Sequence, residues 1–312
     1  MGYLDLGTWV TREQLPKDTQ GRFARNKAAF RSFVTRDGSS GFRVEAGRYH
    51  LVLAHACPWC HRVAIVRALK GLQDVISVSF AHPLMRENGW AFTETHPDPL
   101  FSARFAHQLY TRAAPGHSGR VTVPILWDRQ TATIVNNESS ELIRMLTSTF
   151  DELSSAPGLD LYPEALRAEI DAVNDLVYDS VNNGVYKCGF AGTQPAYNEA
   201  VRALFTALDT LEARLRDQTY LVGDQLTEAD IRLWVTLVRF DLVYVGHFKC
   251  NLRRIADYPA LSRYLRRLYA MDAFRTTTQL DEIKLHYYAS HRSVNPSGIV
   301  PIGPELMLEN DK

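Results

Sequence analysis

Hydrophobic positions in the first half of the chain alternate between strand-like runs and one helical run. Residues 49–54 and 75–80 are short apolar stretches rich in Val, Ile and Leu, which is typical of buried strands. Between them, residues 62–70 carry apolar side chains in a helix-like run that ends at Gly71. A strand–helix–strand unit of about 30 residues predicts parallel strands joined by a right-handed crossover.

A polar insertion around residues 96–99 follows, and then the apolar pattern resumes. Residues 121–127 and 131–135 are two predicted strands close enough in sequence to form a hairpin. Residues 139–146 predict a helix, with Asn137 as its N-cap. The resulting order, βαβ-ββα, is that of the thioredoxin fold.

After the linker at residues 154–158 the strand patterns stop and helical ones take over. Apolar side chains at helical spacing mark one face of a long amphipathic helix, namely Tyr197, Val201, Leu204, Phe205, Leu208, Leu211 and Leu215. Thr227 and Asp230 have the spacing of a capping box, and the helix that they begin is apolar nearly all round. We therefore expect a thioredoxin-like α/β domain over residues 49–152 and an all-α domain over residues 153–312. Residues 1–48 are expected to form an extension packed on the fold.

The charge balance and the lengths of the apolar runs argue against a nucleic-acid-binding or membrane protein. The chain of 312 residues has 35 Lys and Arg residues against 35 Asp and Glu residues, so no net field attracts nucleic acid or an anionic membrane. No apolar run approaches the roughly 18–20 residues of a membrane span. The first residues lack the basic and apolar regions of a secretory signal. We expect a cytoplasmic protein without a nucleic-acid or membrane partner.

The most informative motif is Cys57-Pro58-Trp59-Cys60, which lies between a predicted strand and a predicted helix. At the start of a helix, unpaired N–H groups and the positive end of the dipole favour the thiolate form of Cys57. Cys60 lies one turn further in and is expected to remain a thiol. Cys188 and Cys250 stand alone and are expected to be small buried hydrophobic side chains. Cys57 is therefore the predicted nucleophile.

Three other interpretations of this motif are open. A structural zinc site needs a second pair of ligands with suitable spacing, which Cys188 and Cys250 do not offer. With His61 the motif matches the C-x-x-C-H pattern of haem attachment, but that attachment normally requires export. Two inert core cysteines are the third alternative, although Pro58 at a helix start suits exposure better than burial. We therefore expect neither a metal nor a haem.

Two features downstream bear on ligand binding. Pro is disfavoured inside a sheet, so Pro124 in a predicted strand suggests a special backbone conformation after Val123. Glu138 and Ser139 begin a second predicted helix, whose free N–H groups could bind a carboxylate while Glu138 binds an amine. Simple helix capping explains these two residues equally well.

The sequence resembles the xi-class glutathione transferases, the glutathionyl-hydroquinone reductases, from about residue 40 onward. The segments that carry the resemblance are Cys57–Arg62, Gly89–Phe92, Val121–Pro124, Asn136–Ser139, Asn182–Lys187, Thr227–Leu233, Arg239–Asp241, Val243–Asn251, His286–Tyr288 and Asn295–Pro296. It implies the glutathione-transferase fold, a homodimer, and glutathione as co-substrate. It also implies attack of Cys57 on the sulfur of a glutathionyl-hydroquinone, release of the hydroquinone, and resolution of the mixed disulfide by a second glutathione.

The same resemblance implies roles for individual residues. Glutathione would be held by Trp90, Arg120, Val123, Glu138 and Ser139, with Val123 followed by a cis-Pro124. Tyr186, Tyr244 and Tyr287 would bind the substrate ring and help its carbon accept a proton. Without the resemblance, each tyrosine would be interpreted as the edge of an amphipathic core.

Cys60 departs from the family pattern, in which a small residue or Ser is usual at this position. Cys60 could be a resolving thiol, an oxidative brake or neutral. Two alternative functions remain open at this point. One is an omega-like thioltransferase or dehydroascorbate reductase, and the other is a non-catalytic binding protein of the same fold.

Overall fold

The computed structural model describes residues 2–12, 17–25 and 27–308, which divide into two compact units. Of the described residues, the first unit holds 2–12, 27–159 and 277–286. The second unit holds 17–25, 160–276 and 287–308. No described helix is long and apolar enough to cross a membrane.

The strands of the described residues all belong to the first unit. They are β1 (Tyr3–Asp5), β2 (Thr8–Val10), β3 (Tyr49–Leu53), β4 (Ser77–Phe80), β5 (Ile125–Asp128) and β6 (Thr133–Asn136). Strands β1 and β2 form an antiparallel hairpin, and the others form a sheet in the order β4-β3-β5-β6. Strand β3 runs parallel to β4 and antiparallel to β5, which itself pairs antiparallel with β6. The predicted βαβ unit and hairpin are confirmed.

The first unit contains α1 (Pro58–Leu69), α2 (Ala106–Ala113) and α3 (Ser139–Arg144). Helix α1 begins at Pro58, earlier than its apolar run, because proline suits the first helical position. Helix α2 lies beyond the polar insertion and was not predicted. The N-cap of α3 is Glu138, whose carboxylate accepts a hydrogen bond from the Ser140 N–H, and the prediction of Asn137 as N-cap is wrong.

Helices make up the regular structure of the second unit. They are α4 (Arg167–Leu176), α5 (Gly184–Gly189), α6 (Gln194–Arg214), α7 (Glu228–Arg239), α8 (Pro259–Tyr269) and α9 (Asp272–Arg275), and α10 (Leu280–Ser290) begins in the first unit. Thr227 and Asp230 form the predicted capping box of α7. Every residue of α7 is buried, which confirms its prediction as a central helix.

A buried histidine links two strands of the main sheet. The His50 ring on β3 lies between the hydroxyls of Ser77 and Ser79 on β4, at 2.7 and 2.9 Å. Burial, reinforced by the charge of Arg129, lowers the pKa of His50 to about 4. The folded state therefore favours neutral imidazole, whereas an unfolded histidine titrates near 6.5.

This pKa difference predicts a loss of stability in acid. The contribution of neutral His50 is fully present above about pH 6.5 and is lost as the pH falls towards 4, by about 3 kcal/mol. Urea unfolding at pH 7 and pH 4 measures it, with His50→Gln as the matched control because glutamine can bond to both serines and does not titrate. If the free energy of unfolding depends on pH equally in the wild type and in His50→Gln, then neutral His50 is not the source of the loss in acid.

Candidate active site

Cys57 occupies the N-cap position of α1, directly after the turn that follows β3. Its backbone is extended, its carbonyl accepts the His61 N–H at 3.0 Å, and Pro58 follows at the first helical position. The first turn of α1 contains no acidic residue that would oppose a thiolate. The sulfur lies 3.6 Å from the Val123 carbonyl oxygen, and the residue is 8% exposed. The predicted position of Cys57 at the start of a helix is confirmed.

The Val123–Pro124 peptide is cis, as predicted, and lies at the entry to β5. The preceding residue, Thr122, is fixed by the Tyr110 hydroxyl, which donates to the Thr122 carbonyl at 2.8 Å and accepts the Thr122 N–H at 3.1 Å. The same hydroxyl accepts a hydrogen bond from the Asn137 side chain at 2.8 Å. Tyr110 thus ties the loop before β5 to the turn before α3.

Glu138 and Ser139 stand at the N-terminus of α3. The Glu138 carboxylate accepts hydrogen bonds from the backbone N–H and the hydroxyl of Ser140. The guanidinium of Arg62, on α1, lies 3.5 Å from the Ser139 hydroxyl and over the ring of Trp59 at 4.5 Å. The buried guanidinium of Arg62 therefore links α1 to the first residue of α3.

Trp90 packs against His286, which lies on α10. The two rings of Trp90 and His286 are stacked, with centroids 4.9 Å apart and planes inclined by 10°. His286 donates from Nδ1 to the Pro83 carbonyl oxygen at 2.7 Å, because a carbonyl can only accept. Trp90 itself is 7% exposed. The hydrogen bond to Pro83 therefore fixes the orientation of the His286 ring, and that ring forms the surface on which Trp90 stacks.

The three predicted tyrosines meet in the second unit. The Tyr287 hydroxyl is 2.7 Å from that of Tyr186 and 2.9 Å from that of Tyr244. Tyr186 lies on α5, Tyr287 on α10, and Tyr244 at the end of a π-helical turn at Phe240–Tyr244. The three hydroxyls thus form a cluster in which Tyr287 contacts both of the others, and Tyr287 is 1% exposed.

Burial determines the protonation of this cluster. It raises the pKa of both Tyr244 and Tyr287 well above that of an ordinary phenol, and the nearby charge of Arg239 only partly offsets this. Both hydroxyls therefore keep their protons at neutral pH and can act as hydrogen-bond donors. Arg239 is fully buried and its guanidinium also donates to the Val235 carbonyl at 2.7 Å.

The predicted site residues thus fall into two groups. The first unit holds Cys57, Trp90, Arg120, Val123, Glu138 and Ser139, and the second unit holds the three tyrosines. Sequence reasoning missed Tyr110, Arg62, His286 and Arg239. Arg62, Arg239 and His286 each lie in a segment that carries the resemblance, but their supporting contacts have no local signal in the sequence. Among the described residues, no group of three or more metal-ligating side chains could hold a metal ion.

Cys60 lies in the first turn of α1 and is 1% exposed. Cys57 is the more exposed of the two thiols, at 8%, and we therefore expect free glutathione to resolve a mixed disulfide on Cys57. We expect Cys60→Ala to turn over at a near-normal rate in reductant and to recover differently after peroxide treatment, because Cys60 can protect Cys57 from overoxidation. Steady-state turnover with and without peroxide measures this, and collapse of turnover at high glutathione would instead make Cys60 the resolving thiol.

Two family models match the chain. Residues 56–149 match the N-terminal domain of glutathione S-transferases, and residues 194–267 match the C-terminal domain. The matched N-terminal segment contains Cys57 and all five predicted glutathione-binding residues.

The chain is similar along nearly its whole length to named proteins and to solved structures. The chain is 53% identical to the glutathionyl-hydroquinone reductase PcpF of Sphingobium chlorophenolicum, over 99% of this chain and 98% of that protein. It is 51% identical to the glutathionyl-hydroquinone reductase YqjG of Escherichia coli K12, over 97% and 95%. The crystal structure of a xi glutathione transferase from Phanerochaete chrysosporium superposes with a TM-score of 0.90 at 52% identity, covering 95% of this chain and 96% of that one. A glutathione-bound structure of YqjG superposes with a TM-score of 0.88, covering 90% of this chain and 94% of that one.

Proposed function

Because this chain belongs to the xi-class glutathione transferases, we propose that it reduces glutathionyl-hydroquinones to hydroquinones with glutathione as co-substrate. The observation that carries the proposal is the position of Cys57, a cysteine at the N-terminus of α1 with no acidic residue in the first helical turn. Such a thiol is suited to attack on sulfur, because the helix terminus stabilises the thiolate. The match with two glutathionyl-hydroquinone reductases supports the choice of substrate.

The first half-reaction breaks the bond between the ring carbon and the glutathione sulfur. The Cys57 thiolate attacks that sulfur, a disulfide forms, and the ring carbon takes the bonding electron pair and a proton. The carbon is reduced by two electrons and the two sulfurs are oxidised to the disulfide. Hydroquinone is the product, and Cys57 remains linked to glutathione.

The second half-reaction restores the thiolate. A second glutathione, as thiolate, attacks the glutathionyl sulfur of the mixed disulfide, and Cys57 is the leaving group. The sum of both steps converts one glutathionyl-hydroquinone and one glutathione into hydroquinone and oxidised glutathione. No metal or further cofactor takes part in this balance.

The tyrosine cluster supplies the proton chemistry in this proposal. Tyr186, Tyr244 and Tyr287 hold the oxygens of the substrate ring, and the protonated hydroxyls assist delivery of a proton to the departing carbon. In the first unit, Trp90, Arg120, Val123, Glu138 and Ser139 hold glutathione. The support for these roles is the resemblance, together with the hydroxyl cluster at 2.7 and 2.9 Å.

Intact-protein mass spectrometry tests the first half-reaction directly. Adding a glutathionyl-hydroquinone without free glutathione should increase the mass of the protein by one glutathionyl group and release one hydroquinone. Peptide mapping should place the group on Cys57, and Cys57→Ser should gain no mass. Release of hydroquinone without a protein adduct would contradict the mechanism.

We further infer that the enzyme is a cytoplasmic homodimer without nucleic-acid or membrane partners. The dimer is supported by the resemblance, and the absence of polyanion partners by the balance of 35 basic and 35 acidic residues. Sedimentation velocity at micromolar concentration tests the oligomeric state, and a monomer there would contradict it.

A further inference from the structure

The N-terminal hairpin, β1 and β2, is bonded to the loop that leads into Arg120. Leu4 on β1 and Gly119 exchange two backbone hydrogen bonds, both of 2.8 Å. Two further bonds run to the same loop, from the Gly7 N–H to the His117 carbonyl at 2.9 Å and from the Leu6 N–H to the Ser118 hydroxyl at 2.8 Å. Strand β1 is therefore paired on both edges, with β2 on one side and this loop on the other.

The second strand of the hairpin reaches the turn that precedes Trp90. The indole N–H of Trp9 donates to the Glu87 carbonyl at 3.1 Å. Gly89 lies so close to the indole that a Cβ added there would be 3.1 Å from the Trp9 ring. The other support of Trp9 is His107, whose ring is stacked on it with centroids 4.5 Å apart. Trp9 is therefore held between α2 and the turn.

The contacts of β1 and those of Trp9 each involve the residue that directly precedes a predicted glutathione-binding residue. Gly119 precedes Arg120, and Gly89 precedes Trp90. Fixing the backbone of the preceding residue restricts where the next side chain can point, and that restriction reduces the ordering cost of ligand binding. The hairpin adds little to the core itself, because Leu4 is the one side chain of β1 and β2 that is fully buried.

We propose that the N-terminal hairpin is a positioning element of the glutathione site, with Trp9 and Gly7 as its positioning residues. It holds the backbone before Trp90 and Arg120 and touches no reacting atom. This inference rests on the proposed function for the identity of the ligand. It predicts an effect on ligand affinity that exceeds any effect on chemistry.

Trp9→Ala tests the contact before Trp90. We expect the Kd for glutathione, measured by calorimetry, and the KM for glutathionyl-hydroquinone to rise about tenfold, because small misplacements of binding groups are costly. The kcat at saturation should change less than about twofold, since the reacting groups are intact. Trp9→Phe keeps a ring for His107 and removes only the N–H donor, so it should show a smaller rise of the same kind. Thr8→Ala, exposed on the same strand, is the matched control.

Gly7→Ala tests the contact before Arg120 independently. At Gly7 the backbone φ is +80°, and an added Cβ would lie 1.9 Å from the Pro115 carbonyl oxygen, so the hairpin must move off the loop. Gly47→Ala is its control, because Gly47 has a φ of +77° but an added Cβ would meet nothing within 4 Å. A rise in Kd for Gly7→Ala beyond that for Gly47→Ala supports the proposal.

Unchanged Kd and KM in Trp9→Ala and Gly7→Ala would overturn the proposal, as would a loss of melting temperature with no loss of affinity in Trp9→Phe. Calorimetry of glutathione binding does not depend on turnover. A wild-type protein that binds glutathione without reducing the substrate would therefore refute the proposed function and leave the test of the hairpin intact.

Discussion

Cys57→Ser is expected to lose hydroquinone release by about 10⁴-fold or more, the scale on which covalent enzymes lose activity when the nucleophile is removed. A serine hydroxyl is almost un-ionised at neutral pH, and helix α1 can stabilise only an anion that forms. The residue is 8% exposed and serine is slightly smaller, so the fold should persist. Stopped-flow release of hydroquinone measures the loss.

Binding of glutathione should survive in this variant, because its predicted ligands are other residues of the first unit. Calorimetry on Cys57→Ser checks that point. Cys60→Ala is the matched control, as it alters a thiol in the first turn of the same helix. Retention of more than a small fraction of activity by Cys57→Ser would show that another group attacks the sulfur.

Tyr287→Phe is expected to be the most damaging of the three hydroxyl deletions. Its hydroxyl lies 2.7 Å from that of Tyr186 and 2.9 Å from that of Tyr244, so its loss removes both of these contacts at once. A lost neutral hydrogen bond costs several-fold in rate, and a lost donor to developing charge costs about 10²–10³-fold. We expect a fall in kcat of at least about tenfold, with Tyr186→Phe and Tyr244→Phe nearer the lower limit.

Single-turnover release of hydroquinone measures this effect without interference from the second half-reaction. Tyr197→Phe is the matched control, because that hydroxyl donates to the Lys249 carbonyl at 2.7 Å, outside the cluster. Equal kinetics for Tyr287→Phe and Tyr197→Phe would show that Tyr287 is an ordinary core residue.

Local patterns predicted the main sheet and the start of α1 well. The strand at residues 49–54, the helix after Cys57 and the hairpin of β5 and β6 each have a signal within ten or twelve residues. Helix α2 was missed because polar and aromatic residues obscure its short apolar face. Residue type alone favours Asn137 as N-cap, but its side-chain oxygen accepts the Phe30 N–H at 3.0 Å and its NH2 group donates to Tyr110, so Glu138 caps α3 instead.

The contacts that support the site were beyond sequence reasoning for a different reason. Trp9 contacts Glu87 across 78 positions, and His286 contacts Pro83 across 203. Such pairs have no local signature, since they depend on which loops the folded backbone brings together. Motifs identified the groups expected to touch the ligand, whereas the long-range contacts that hold those groups in place became visible only in three dimensions.

The hydrogen bonds of the Tyr110 hydroxyl to Thr122 and Asn137 should hold the loop before β5 in place at alkaline pH. A phenol has one proton and two lone pairs, and this one donates to Thr122 and accepts from Thr122 and Asn137, so its bonding capacity is used. Burial raises its pKa above that of a free phenol, which keeps the donated proton in place as the medium becomes basic. The loop before cis-Pro124 should therefore keep its shape well past neutral pH. A decline of activity in mild alkali would then report on thiols and substrate, and not on the framework around them.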